Sequence, residues 1–438
     1  MEYTACDYPI SKAISIARRY PLCDRCMGRM FARLGLGLEN RERGRALKTT
    51  IVMCLHERIA KGDKQAQKLF REIAPNLGEP ARGLYKKLFN EDFEEKTCVV
   101  CSNSLDKVIP RAAAEAFNAL RKWDIQRFIV GARVPFKTMT TEERIKTEFG
   151  LVHSESIRNE VKREIGKKLQ EYGLTVDFEN PEGVVLIELW KPSIKIQVNP
   201  VFFKGRYWKL GRNISQSYWP TRWGVKYDFS VEQATWVLKQ VMSAEKTVIH
   251  AAGREDADAR MLGTGRPLVI EVKKPRHRHI PITEVEEALN KGGGGLVAFT
   301  VEGEASRMDV RLYKNELSGI KKLYKALIVS EKPVSDEDLR SLEDYFAGRT
   351  IRQQTPSRVL HRRADITRSK KVYRIRNIRV TENVFYSFIV GEGGLYIKEL
   401  VSGDEGRTSP SYSEVLGSEV QCVDLDVLGV DFPLSRSL

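Results

Sequence analysis

Apolar and polar positions recur with more than one period along this chain, and the changes of period mark its elements. Residues 8–20 carry apolar positions at helical spacing and predict a short helix, and a second helical stretch runs from about Arg41 to Lys61. Ala112 to Trp123 is an amphipathic helix pattern, Phe128–Val134 a strand, and Ser154–Tyr172 a helix with Ser156 and Glu160 placed to cap its start. Strand patterns follow at Leu174–Phe178, Gly183–Leu189 and Ser193–Pro200. From Phe202 to Asn213 aromatic rings interleave with cations, as in a hairpin, and Asp228–Ser243 returns to helical spacing.

Residues 250–276 break the rhythm. An apolar approach at Val248 and Ile249 runs into Gly253-Arg254, and three carboxylates follow within four positions: Glu255, Asp256 and Asp258. A Gly263-Thr264-Gly265 turn leads to a second apolar run, Leu268–Val272. The order is strand, charged loop, turn, strand. Beyond it the pattern gives a helix at Ile282–Asn290 and strands at Leu296–Glu302, Val310–Asn315 and Lys321–Val329, with Tyr324 ringed by lysines. Lys291–Gly295 is too glycine-rich for an element interior, and it is no phosphate loop because no Gly-Lys-Ser/Thr ends it. Val384–Val390 is a strand, Leu395–Val401 starts a helix, Gly406–Ser411 is a loop and Val423–Leu428 is a closing strand. The class is α+β, with no repeat at a solenoid period.

Charge changes the picture. The chain has 438 residues, and its 73 basic against 58 acidic residues leave +15, with a pI near 9.4. Two to four domains fit this length. Such a surface attracts an anionic polymer more readily than a membrane. No apolar run approaches the ~20 residues of a membrane-spanning helix, and the N-terminus has no signal-peptide pattern. A cytoplasmic chain with reduced thiols is expected. There, Cys23-Asp24-Arg25-Cys26 and Cys98-Val99-Val100-Cys101 offer four soft ligands for a structural Zn²⁺, with 71 residues between Cys26 and Cys98. A redox Cys-x-x-Cys or two unrelated thiol pairs are the alternatives. A four-thiolate zinc is closed and not catalytic. Cys54 reads as a buried apolar residue, and Cys6 and Cys422 have no assigned role. Gly348–Arg379 holds eleven cations (among them Arg358, Arg362 and Arg363) against the single acid Asp365, which suits a phosphate backbone. The Arg206, Lys209 and Arg212 cations, interleaved with rings, suit RNA or DNA in the same way.

Crowded acids and arginines in a loop between two apolar strands fit either a solvated hairpin tip or a site of chemistry. Two chemistries are open. Asp256 or Asp258 with Glu271-Val272-Lys273 has the Asp…Glu-x-Lys layout of a Mg²⁺ nuclease. Alternatively, one aspartate beside a cation attacks or stabilises an electron-poor sugar carbon of a flipped nucleotide.

The run Gly253-Arg254-Glu255-Asp256-Ala257-Asp258-Ala259-Arg260-Met261-Leu262-Gly263 resembles the catalytic loop of pseudouridine synthases, and more narrowly the archaeal type of the tRNA pseudouridine synthase family called Pus-ten. Leu323–Ala326 is similar to that family's tyrosine strand, Gln354–Arg363 to its basic loop, Gly394–Val401 to its third motif and Gly406–Ser411 to the loop after it. The resemblance implies a zinc-binding helical module at 1–108, a THUMP-like RNA-binding domain at 109–228 and a catalytic domain with a mixed or antiparallel sheet at 229–438. It implies isomerisation of uridine to pseudouridine in the TΨC arm of tRNA, at uridines 54 and 55. Asp256 would act at the ribose C1′, with Tyr324 packed on the base and Lys398 paired with Asp256. Leu400 would pack against the site, while Arg254 and Tyr396 would bind substrate. Arg206, Lys209, Arg212, Arg358, Arg362, Arg363 and Arg407 would contact RNA. No redox or nucleotide cofactor, membrane or protein partner is implied. The nuclease, and an RNA-binding protein without activity, remain the alternatives.

Overall fold

A computed structural model describes residues 7–191, 194–315 and 320–430; Cys6, Ser193 and the side chains of residues 7, 314, 315 and 362 lie outside that description. The chain divides into two compact units, Met1–Asn199 and Pro200–Leu438. The expected boundary at 228/229 falls inside the second unit. The strand Val201–Lys209 hydrogen-bonds into the large C-terminal sheet and belongs with it.

The first unit opens with six helices: α1 (Asp7–Arg19), α2 (Asp24–Arg29), α3 (Asn40–Ala60), α4 (Lys64–Leu77), α5 (Glu79–Phe89) and α6 (Leu105–Arg121). Then come β1 (Arg127–Arg133), α7 (Phe136–Phe149), α8 (Ile157–Glu171), β2 (Thr175–Val176), β3 (Gly183–Glu188) and β4 (Ile194–Val198). The sheet runs β2-β1-β3-β4, and α6 and α8 pack on it. Ser156 caps α8, its hydroxyl accepting from the Asn159 amide at 3.2 Å. The α2–α3 crossing depends on two glycines. A Cβ at Gly28 would lie 1.8 Å from the Asn40 carbonyl, and one at Gly44 1.8 Å from that of Asp24. Cys54 is exposed, contrary to expectation. The apolar run Ile51–Leu55 winds around α3, so Ile51, Val52 and Leu55 face the core while Met53 and Cys54 turn outward.

The second unit begins with β5 (Val201–Lys209), the short hairpin β6 (Pro220–Thr221) and β7 (Gly224–Val225), α9 (Val231–Ala234), α10 (Val237–Val241), β8 (Lys246–Ala251) and β9 (Arg260–Lys273). It continues through α11 (Ile282–Gly293), β10 (Val297–Ala305), α12 (Arg307–Asn315), β11 (Lys322–Ser330), α13 (Asp336–Phe346) and β12 (Thr350–Gln353). A 3₁₀ turn (Ser357–Arg362) precedes β13 (Arg368–Arg379), β14 (Val384–Gly391), α14 (Ile397–Ser402), β15 (Thr408–Ser409), α15 (Tyr412–Leu416) and β16 (Val420–Val430). Among the described residues ten strands form one mixed sheet, in the order β10-β5-β9-β16-β11-β14-β13-β12-β15, with β8 also on β9. Its pairings are antiparallel except β9 with β16. The α+β class therefore holds.

Four local readings change. Val310–Asn315 lies in α12, not in a strand; Ser306 and Asp309 cap that helix reciprocally, at 2.7 and 3.4 Å. The helix expected at Asp228–Ser243 is two short helices, because the Thr235 hydroxyl bonds the Glu232 carbonyl at 2.7 Å and the Thr247 hydroxyl at 2.9 Å. The glycines after Lys291 do enter an element. α11 runs to Gly293, and a Cβ at Gly292 would lie 2.3 Å from the Ala234 carbonyl. Gly263 and Gly265 do not end a strand but bend β9 through positive φ, 55° and 69°, where Gly263 passes Leu428 too closely for any Cβ.

Candidate active site and cysteine cluster

The charged loop joins β8 to β9, and its backbone is fixed from below. Inward positions of β5 alternate, so Tyr207 and Lys209 both point under the loop. The buried Lys209 ammonium donates to the carbonyls of Ile214 and Asp256, both at 2.8 Å, and of Ala257 at 3.2 Å. Glu255 is buried beside it. Its carboxylate accepts from the Tyr207 hydroxyl at 2.9 Å and from Arg266 Nε at 2.8 Å, with Lys209 Nζ 3.7 Å away. Burial pushes the Glu255 carboxyl up, but Arg266 and then Lys209 outweigh it and hold it below the usual range. Lys209 is thus a support of the loop and not an RNA contact, because its charge is wholly enclosed.

Above this base Asp256 and Asp258 turn outward. Arg358 Nη2 lies 2.9 Å from Asp256 Oδ2, while its Nε donates to Glu399 at 2.6 Å. Lys398 Nζ meets Asp258 Oδ2 at 2.5 Å. The expected Lys398–Asp256 pair is therefore replaced by Arg358–Asp256 and Lys398–Asp258. Arg358 comes from the 3₁₀ turn and Lys398 from α14.

Asp256 lines a cleft of about 330 Å³ together with Arg254, Lys322, Tyr324, Leu395 and Tyr396, a size suited to a small organic group. Tyr324 stands on β11, and burial pushes its phenol up to about 12. It meets a ligand as a neutral ring. Tyr396 is held by its backbone, which exchanges two 2.9 Å bonds with the Gln353 side chain, and its hydroxyl accepts from Arg363 at 2.8 Å. Leu400 is fully buried in the core and does not line the cleft. Arg254 is exposed at the rim, its guanidinium 5.8 Å from the Trp219 ring. A second cleft on the other side of Asp256 adds Trp219, Lys226, Tyr227 and His361.

The other expected RNA contacts divide. Arg212 is spent on the Asp258 and Leu425 carbonyls, at 2.8 and 2.9 Å, and on Asp426. Arg407 holds the Thr355 carbonyl at 2.9 Å and pairs with Asp365. Arg206 donates to the Thr264 carbonyl at 3.2 Å and remains partly exposed. Arg363 is exposed; the Arg362 side chain lies outside the described residues. The basic tract also has more acids near it than its own sequence supplies, since Glu343, Asp336 and Glu392 pair with Arg376, Arg379 and Lys370. Glu271 faces His250 at 2.9 Å and lines neither cleft beside Asp256, so the nuclease layout is not assembled. The sequence reading missed Arg358 as the partner of Asp256, and it missed Lys209 and Lys322 as inward residues. Strand alternation marks the last two. Nothing local marks the first.

In the first unit Cys23, Cys26, Cys98 and Cys101 place their four sulfurs within 4.8 Å of one another, a set that can hold a metal ion and, among the described residues, the one group of three or more His, Cys, Asp or Glu that can. Arg29 donates to Cys26 Sγ at 3.3 Å and pairs with Glu142 and Glu160, at 2.7 and 2.6 Å, so the cluster is tied to α7 and α8.

Residues 202–431 match the family model described as Pus10, C-terminal, and residues 112–188 the one described as Pus10 THUMP domain, archaeal. A protein of Aeropyrum pernix named tRNA pseudouridine synthase Pus10 is 48% identical, over 96% of this chain and 97% of its own length. Proteins of the same name from Ignisphaera aggregans and Methanocaldococcus jannaschii are 42% and 39% identical, over 96% and 95% of this chain and 98% and 93% of theirs.

Proposed function

Because this chain belongs to the Pus10 family of tRNA pseudouridine synthases, we propose that it isomerises uridine to pseudouridine in the TΨC arm of tRNA, at uridines 54 and 55, with Asp256 as the group that meets the ribose C1′. The observation that carries the reading is Asp256, the outward carboxylate that lines the cleft with Tyr324, paired there with Arg358.

The flipped uridine enters this cleft with its base against the Tyr324 ring. Asp256, held by Arg358, faces C1′ as the bond to N1 breaks. The uracil turns and rejoins through C5, so bonds are exchanged within one molecule and no redox or nucleotide cofactor takes part. Lys398 acts through Asp258, fixing the outer side of the loop, and Leu400 supports α14 from the core. Arg254 and Tyr396 border the nucleotide. Arg206, Arg362 and Arg363 remain candidates for phosphate contact, whereas Arg358 holds Asp256 and Arg212 and Arg407 act mainly as props. The cysteine cluster suits a structural Zn²⁺, because four thiolates about 2.3 Å from a tetrahedral zinc stand roughly 3.8 Å apart. Residues 112–188 form the THUMP module that engages tRNA.

Carbodiimide primer extension on an unmodified tRNA transcript tests the reaction and maps its positions. Stops at 54 and 55 with wild type and none with Asp256→Asn are expected. Full activity of Asp256→Asn would sink the assignment, and tRNA cleavage abolished by EDTA would favour a nuclease.

A further inference from the structure

Lys322 lines the cleft opposite the loop, two residues before Tyr324 on the same face of β11. It is 6% exposed, and among the described residues no hydrogen bond or ion pair reaches its ammonium. A buried charge without a partner is costly, and a fold keeps one where a ligand completes it. Its position is tightly set. Gly253, at a φ of 81°, closes over it, so that a Cβ there would stand 3.0 Å from Lys322 Nζ and 3.1 Å from Arg266 Nη1. Arg254 lies exposed at the rim, and the other cations inside the cleft are engaged. Arg358 is shared by Asp256 and Glu399, Lys398 is on Asp258, and Arg363 is on the Tyr396 hydroxyl. Arg266 is held by Glu255 and by the Ala252 carbonyl at 2.8 Å.

The proposed reaction supplies an anion that needs such a cation. When the C1′–N1 bond breaks, uracil leaves with the bonding pair, and the negative charge spreads from N1 to O2 and O4. Once C5 has bonded to C1′, its proton is lost and N1 takes one up. Asp256 answers the positive charge developing at C1′, and the uracil anion needs a cation of its own. We infer that Lys322 is a further catalytic residue of this reaction, its ammonium bonding a carbonyl oxygen of the target uracil and stabilising the leaving uracil anion. The interaction strengthens as the bond breaks, which is the kind that accelerates a step. Burial, and after it the Arg266 guanidinium, hold the amine down to about 8, with Glu255 opposing and Lys370 adding to the fall. It therefore carries its charge at neutral pH and gives a proton up readily.

This inference rests on the proposed reaction, and its test separates the two. Single-turnover pseudouridine formation and tRNA affinity are measured for wild type, Lys322→Met and Lys322→Ala. Lys322→Met is expected to lower the rate at least 100-fold and to change affinity less than threefold. Adding n-propylamine, which replaces the missing stem and ammonium, should restore Lys322→Ala at least tenfold. A tRNA carrying 5-fluorouridine gives the sharper readout, because fluorine stabilises the leaving anion by itself. Loss of the starting nucleoside should then differ at least threefold less between wild type and variant than it does with uridine. A purely structural lysine would give the same ratio with both substrates and no amine rescue, and that result, or a Lys322→Met as fast as an active wild type, overturns the role of Lys322 alone. A wild type that forms no pseudouridine overturns the reaction and this role with it.

Discussion

Arg358 carries one charge between two carboxylates, Asp256 and Glu399. Lys398 is committed to Asp258, which is half exposed. Arg358→Met is therefore expected to lower the single-turnover rate by about 100-fold, or ~2.7 kcal/mol of transition-state stabilisation, and Lys398→Met by no more than about tenfold. Rapid quench at saturating tRNA measures both, and the reverse order would make Lys398 the working partner of Asp256. Lys322 makes a different prediction, one of stability. Its folded-state value of about 8 lies below the ordinary 10.5, so between those pH values the unfolded chain binds more protons than the folded one. Stability from this group then rises with pH across that window, and below pH 8 the group destabilises throughout. At pH 7 the neutral Lys322→Met is expected to unfold at higher denaturant concentration than wild type, by up to about 3 kcal/mol, and the gap should close near pH 10. Equal midpoints at pH 7 would mean that the buried charge is satisfied in a way the cleft does not reveal.

The loop between β8 and β9 acts as one element because its underside is a closed set: Glu255, Arg266, Lys209 and Tyr207. Removing the single anion strands two enclosed cations, and breaking a buried pair in this way costs about 3–5 kcal/mol. Glu255→Gln should lower the urea midpoint of residues 200–438 accordingly, whereas an exposed carboxylate such as Glu245, similarly exchanged, should move it by no more than about 0.5 kcal/mol. A small effect for Glu255→Gln would refute the account of the loop. The same set explains what the sequence could tell. Apolar period gave β1, β3, α8 and β14 nearly in place, because each buries one face or stripe of its own residues. The motif around Asp256 gave the loop. Lys209 was misread as an RNA contact because a cation next to Trp208 looks solvent-facing unless the strand alternation is followed to its end. Arg358 was read as a phosphate contact because its distance to Asp256 is set by the packing of a 3₁₀ turn some hundred residues downstream, and no local pattern carries that. The α12 helix was missed because its caps, Ser306 and Asp309, precede the apolar positions that suggested a strand.

At the scale of the whole chain, every residue assigned to chemistry lies beyond Pro200, and the four cysteines lie within Met1–Asn199. The cluster is enclosed by core residues, with Cys26, Cys98 and Cys101 buried. A metal there adds its binding free energy to the folding of that unit. It cannot enter the bond exchange, since four protein ligands leave no open position. Removing it should therefore act on tRNA affinity and on the stability of the first unit, and not on the chemical step. The expected behaviour of Cys23→Ser with Cys98→Ser is loss of bound zinc, an earlier thermal transition, and a tRNA Kd at least tenfold weaker. The single-turnover rate at saturating tRNA should stay within threefold of wild type. Affinity should also fall steeply with salt, as phosphate contacts of a chain with net charge +15 require, and the slope should be shallower in the cysteine variant if the THUMP unit supplies part of those contacts. Elemental analysis, calorimetry and filter binding read the three effects separately. A variant that binds tRNA normally but has lost the chemical step would show that the cysteine unit acts on the loop around Asp256, and that affinity and chemistry are not divided between the two units.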